Sequence, residues 1–260
     1  MRHHFLKAIA ATGLGLTMAL ANAAPAQENH DDLKIGFMGV FSGGQAALGQ
    51  DSYDGFMLYL KNHGDKLGGR HIEVLKADAQ IKPVVGVQLA KRLIDKDGVP
   101  IIVGVTFSNV MLAVHGPITK KEVFLIGTNA GPSQIAGKEC SPYFFSTSYQ
   151  NDQKAESMGS YAKSKGYKRI ITMVPNYQSG FDFVTGFKRY YQAPLLDEIY
   201  TPLNQQDFSA ELAKIASEKP DAVYVFYPGG LGVNFLRQWQ QAGLLGKIPV
   251  LSTSTTDAIN

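Results

Sequence analysis

From residue 33 to residue 251 the chain alternates short apolar runs with amphipathic stretches almost without a break, and this alternation restricts the fold more than any other feature. The run 33–40, LKIGFMGV, predicts a buried strand, followed by a glycine-rich loop at 41–49. Residues 51–64 then set Tyr53, Phe56, Met57 and Leu60 on one helical face, with Gly64 as the stop. Further strands are expected at 71–77, 101–104 and 123–127, and helices at 83–97 and 109–121. Pro117 should kink or shorten the last of these. Strand feeding helix feeding strand implies α/β architecture with a parallel, doubly wound sheet.

The irregular segment 137–148 carries one short aromatic strand at 143–145 and reads as the crossing into a second lobe. There the alternation restarts, with helices at 152–165, 181–191, 208–218 and 232–243 and strands at 169–174, 195–200, 222–226 and 249–251. Tyr53-Asp54-Gly55-Phe56 recurs as Val184-Thr185-Gly186-Phe187, a weak echo that gives both halves the same wiring. The expected organisation is lobe 1 at 33–148, lobe 2 at 149–247 and the start of a return crossing at 248–260.

Residues 1–23 are expected to be a secretory signal peptide: Arg2 and Lys7, an apolar run too short to span a bilayer, then Ala21-Asn22-Ala23. Cleavage is expected near Ala23, or after Ala24-Pro25-Ala26, placing the product in the periplasm. Two of the 25 basic residues leave with this segment and none of the 22 acidic ones, so the mature chain is close to neutral. No basic patch argues for nucleic acid, and no later stretch predicts membrane insertion. Cys140 is the single cysteine, which excludes an internal disulfide, and it is expected to pack as a small hydrophobe. The histidines do not cluster, so no metal site is expected, and no cofactor is expected either.

Five loops should crown the sheets, at 41–49, 105–109, 128–133, 175–180 and 227–231, and none holds a charged residue, a histidine or a cysteine. Acid–base catalysis needs titratable groups in its site, and a phosphate loop needs its lysine, so both classes are disfavoured. The loops offer instead hydroxyls, backbone N–H groups and rings. Residues 100–133 supply two such loops at strand ends, where open parallel sheets bind ligands. Ser108 stands where a helix begins, and is either its cap or a carboxylate contact, with Thr106 and Phe107 beside it. Asn129, Ala130 and Gly131 let a ligand approach the backbone, or form an ordinary turn. Tyr177 and Tyr227 are stacking rings or packing residues. Asp257 is the acidic residue near a strand end, a partner for an ammonium or a solvated side chain, and Phe41, Gln45 and Gln178 are weaker candidates.

Several segments in order carry a family resemblance: KIGFMGVFSGGQAALGQD, LGGRHIEVLKAD, VQLAKRLIDKDGVPIIVG and NAGPSQIAGKECSPYFF. They resemble the periplasmic solute-binding proteins of ABC importers, of the leucine/isoleucine/valine-binding type. PNYQSGFDFVTGFKRYY and PDAVYVFYPGGLGVNFLRQWQQAGL resemble the branch that takes up aromatic acids. The resemblance implies the type I periplasmic-binding-protein fold, two Rossmann-like lobes closing on a ligand at a hinge. It also implies that Ser108 holds the ligand carboxylate, that Ala130, Gly131 and Tyr177 line the cleft, and that an acidic residue near Asp257 holds an amino-acid ammonium. Family members continue past the position of Asn260, so the resemblance implies a C-terminally incomplete clamp.

The expected function is therefore capture of a small hydrophobic carboxylate, a branched-chain amino acid or an aromatic acid, by a monomer that delivers it to a membrane permease. A ligand-sensing domain of the same fold is the alternative. An exported enzyme is disfavoured for want of catalytic residues.

Overall fold

In the central strands of each sheet both faces are apolar, and helices cover both. The computed structural model describes residues 32–255; the signal segment and Asp257 lie outside the described residues. Strand β1 (Leu33–Gly39) leads through a 3-10 turn (Gly43–Gln45) into helix α1 (Ala46–Asn62). A short β2 (Lys66–Leu67) pairs antiparallel with β3 (Arg70–Asp78), and α2 (Pro83–Lys91) runs on into a π turn (Arg92–Lys96). There follow β4 (Ile101–Gly104), α3 (Ser108–Thr119), β5 (Phe124–Gly127) and β6 (Phe144–Ser146). These strands form one sheet in the order β2-β3-β1-β4-β5-β6, parallel apart from β2.

The second sheet begins after α4 (Asn151–Ser164), with β7 (Ile170–Pro175), α5 (Gln178–Tyr191) and β8 (Asp197–Thr201). It is completed by α6 (Ser209–Glu218), β9 (Ala222–Val225), α7 (Gly229–Gln241) and β10 (Val250–Ser252). Its order is β10-β9-β7-β8, all parallel. In each sheet the order reverses beside the first strand, between β1 and β4 and between β7 and β9, which puts a crevice at their carboxyl ends.

Four apolar layers hold this arrangement. Met38, Leu93, Ile102, Met111, Val114 and Ile118 pack under α2 and α3, while Ile35, Phe37 and Leu60 pack under α1 on the opposite face. Phe187, Tyr191 and Tyr224 pack with α5, and Phe208, Leu212, Phe235 and Trp239 with α6 and α7. Side chains that point alternately to two covered faces explain why β1, β4, β7 and β9 read as nearly continuous apolar runs.

The departures from expectation have local causes. Three glycines taken as loop residues belong to the first turns of helices: Gly49 in α1, Gly180 in α5 and Gly229 in α7. A Cβ on Gly49 would lie 1.8 Å from the Val40 carbonyl oxygen, and one on Gly180 would lie 2.0 Å from that of Pro175. All three helices therefore start earlier than expected; α1 and α5 lean on the strand before them, and α7 leans on Gln45 and Leu48. The β2–β3 hairpin was missed although Gly68-Gly69, with φ of 57° and 81°, is the usual signal for a tight turn. The aromatic strand at 143–145 becomes β6 and extends the first sheet. Cys140 is exposed rather than packed, because it sits on the surface segment between β5 and β6.

Candidate functional site

The carboxyl ends of both sheets face one cavity of about 210 Å³. The residues before three helices reach it: Phe107 before α3, Tyr177 before α5 and Pro228 before α7. None of the three helices has a side-chain cap, so their first N–H groups leave a partial positive charge toward the cavity. Asn151 and Lys154, one turn apart at the start of α4, line it as well.

Rings from both lobes build the apolar wall. The Phe107 ring lies 6.1 Å from that of Tyr177, which lies 6.4 Å from Phe226 at an interplanar angle of 20°. Phe226 in turn stacks on Phe183 at 3.9 Å. Burial pushes the Tyr177 hydroxyl well above the ordinary tyrosine range, so it stays neutral. Thr106, Asn129 and Ala130 complete the lobe 1 side, where the Asn129 amide donates to the Thr106 carbonyl at 2.8 Å.

A buried polar network joins the lobes behind this wall. Ser179 donates to Ser108 Oγ at 2.8 Å, and Asn151 Nδ2 lies 3.1 Å from Ser108 Oγ, 3.3 Å from Ser179 Oγ and 2.9 Å from Asp182 Oδ2. Asp182 also accepts from Ser133 Oγ at 2.9 Å, Ser133 N–H at 3.3 Å and Gln178 Nε2 at 2.8 Å. A carboxylate that is 4% exposed needs such donors to offset its lost hydration. On another side of the cavity, α7 presses on lobe 1: a Cβ on Gly229 would lie 2.5 Å from Gln45 Oε1, and one on Gly230 2.5 Å from the Gly44 carbonyl oxygen.

Of the residues singled out in the sequence, Thr106, Phe107, Asn129, Ala130 and Tyr177 meet at the cavity. Ser108 is fully buried in the inter-lobe network, and Gln178 belongs to the same network through Asp182. Gly131 contacts the α4 entry, its N–H donating to Asn151 Oδ1 at 3.3 Å, while the Asn151 N–H donates to its carbonyl at 2.8 Å. Tyr227 points away from the cavity into the lobe 2 core. Its hydroxyl bonds Thr201 at 2.9 Å and its ring packs on Phe208 and Phe235. Phe41 packs on Phe37 and Tyr53 with the Lys76 ammonium over its ring, and Gln45 is a buried contact to α7.

The sequence reading missed Leu48, Asn151, Lys154, Ser179, Phe183, Phe226 and Ser254, all of which line the cavity. Asn151 and Lys154 sit one turn apart on a helix that reads as polar throughout, so the sequence carried no signal for them.

The family model described as "Periplasmic binding protein" matches residues 32–259. A Brucella melitensis protein named Leu/Ile/Val-binding protein homolog 6 is 31% identical over 244 residues, which cover 92% of this chain and 61% of that relative. The chain thus spans about three fifths of the length of this relative. Among solved structures, an ABC-transporter solute-binding protein of Rhodopseudomonas palustris in complex with benzoate superposes with a TM-score of 0.85 at 31% identity, covering 88% of this chain and 64% of that one. A second, from R. palustris BisB5 in complex with 3,4-dihydroxybenzoic acid, gives 0.81 at 33% identity, covering 86% and 62%.

Proposed function

We propose that this chain, which belongs to the periplasmic binding protein family, is the solute-binding component of an ABC uptake system. It captures a small hydrophobic carboxylate, an aromatic acid or a branched-chain amino acid, between its lobes. The observation that carries this reading is the cavity itself: small, walled by Phe107, Tyr177, Phe183 and Phe226, and faced by uncapped helix N-termini. At about 210 Å³ it lies below the roughly 300–1,000 Å³ of sites for drug-sized ligands, which suits a single ring or a branched side chain. The ligands named for the two R. palustris proteins are of this class.

The role is capture and delivery to a membrane permease, not catalysis. Export follows cleavage near Ala23 or Ala26, and the working form is a monomer built from lobes at 33–148 and 149–247 with a crossing from 248. Thr106, Phe107, Asn129, Ala130 and Tyr177 contact the solute. Ser108 and Gly131 act from the network behind it. A ligand favours closure to the extent that it binds the closed arrangement more tightly than the open one.

Calorimetric titration with leucine, valine, benzoate and 4-hydroxybenzoate tests this. Saturable one-to-one binding of at least one of them is expected, and no heat with any of the four contradicts the proposal.

A further inference from the structure

We infer that Lys154 is the charge partner of the bound solute and that it restricts the site to monoanionic carboxylates, against zwitterionic amino acids and neutral aromatics. This rests on the cavity being the solute site.

Among the described residues lining the cavity, Lys154 is the one charged side chain. Its acidic neighbours on α4 are committed elsewhere. Asp152 accepts from Arg189 at 2.7 Å and from Gln150 at 2.6 Å, and Glu156 pairs with the same Arg189. No ion pair reaches Lys154 among the described residues. Asp182, the buried carboxylate in the network, has its oxygens occupied by Ser133, Gln178 and Asn151.

A half-buried ammonium without a counter-ion is poorly solvated, and burial holds the Lys154 pKa below the ordinary lysine value. An incoming carboxylate relieves that cost. The N-termini of α3, α5 and α7 add positive potential of the same sense. The α-ammonium of an amino acid would meet only neutral or positive groups among these lining residues, and burying it unpaired is expensive. A benzoate-like solute meets a cation at one end and rings along its body. A neutral amide of the same shape keeps the rings and forfeits the charge pair.

The test is titration of the wild-type chain, Lys154→Met and Lys154→Arg with benzoate, benzamide and leucine. The wild type is expected to prefer benzoate over both other probes by at least about tenfold. Lys154→Met should weaken benzoate by about tenfold or more and leave benzamide nearly unchanged, with Lys154→Arg in between. Ligand-free thermal melts report folding, and Lys154→Met should melt at or above the wild type, since it removes a poorly solvated charge. Benzoate binding by Lys154→Met equal to that of the wild type overturns the role of Lys154 and leaves the proposed function standing. Leucine bound as tightly as benzoate overturns the selectivity and points to an anionic partner such as Asp257. A wild type that binds neither benzoate nor leucine overturns this inference together with the aromatic-acid and amino-acid reading of the site.

Discussion

Asp221 fastens the amino-terminal edge of the second sheet through one carboxylate oxygen, which accepts from the Lys168 and Arg169 N–H groups at 2.7 and 2.9 Å. These two backbone donors hold its pKa below the ordinary aspartate value. A carboxylate whose folded pKa is depressed contributes stability above its unfolded pKa and loses it as pH falls through the folded one. Melting temperatures of the wild type and Asp221→Asn, measured from neutral pH into the acid range, should therefore converge as the pH drops below the usual aspartate range. A constant gap would contradict this. At the same scale, the position of Ser108 at a helix start was legible in the sequence, but its partners were not. Asn151 and Ser179 lie 43 and 71 residues away, and local spacing carries no information on which helix ends meet. Lys154 was hidden for the same reason: its helix reads as polar, and only the packing of α4 on α5 turns that residue to the cavity.

Helices α4 and α5 pack backbone on backbone, and two glycines allow it. A Cβ on Gly159 would lie 2.2 Å from the Phe187 carbonyl oxygen, and one on Gly186 would lie 1.9 Å from that of Asp152. Backbone pressed on backbone cannot yield as a side-chain tip can, so Gly186→Ala should destabilise the fold by about 2–3 kcal/mol. Gly55, its counterpart in the sequence echo, meets nothing within 4 Å on α1. Gly55→Ala should be neutral or stabilise by up to about 1 kcal/mol through helix propensity. Chemical denaturation of both variants checks the contrast, and equal effects would remove the distinction. The echo is therefore similarity of letters with different physics. Strong periodicity made most elements legible, and β4 falls on the expected residues 101–104. The helix starts at Ala46, Gln178 and Gly229 were not, because glycine signals a loop and a close approach with the same letter.

For the whole molecule, strand–helix alternation was enough to give two parallel, doubly wound sheets, since few other folds accept it. Strand order and the meeting of the two sheets' carboxyl ends come from long-range packing, which no sequence window contains. That meeting turns five uncharged loops into one cavity: loops from lobe 1 bring Phe107 and Ala130, loops from lobe 2 bring Tyr177, Phe226 and Pro228, and α4 adds the cation. The Ser108–Ser179–Asn151–Asp182 network and the Gly229–Gln45 contact hold the lobes against each other around it. A crystal structure of the chain grown with benzoate tests the central claim most directly. It should show the ring between Phe107, Tyr177 and Phe226, with the carboxylate within hydrogen-bond distance of Lys154 Nζ. Benzoate seated elsewhere, or in the cavity with its carboxylate turned away from Lys154, would contradict the account.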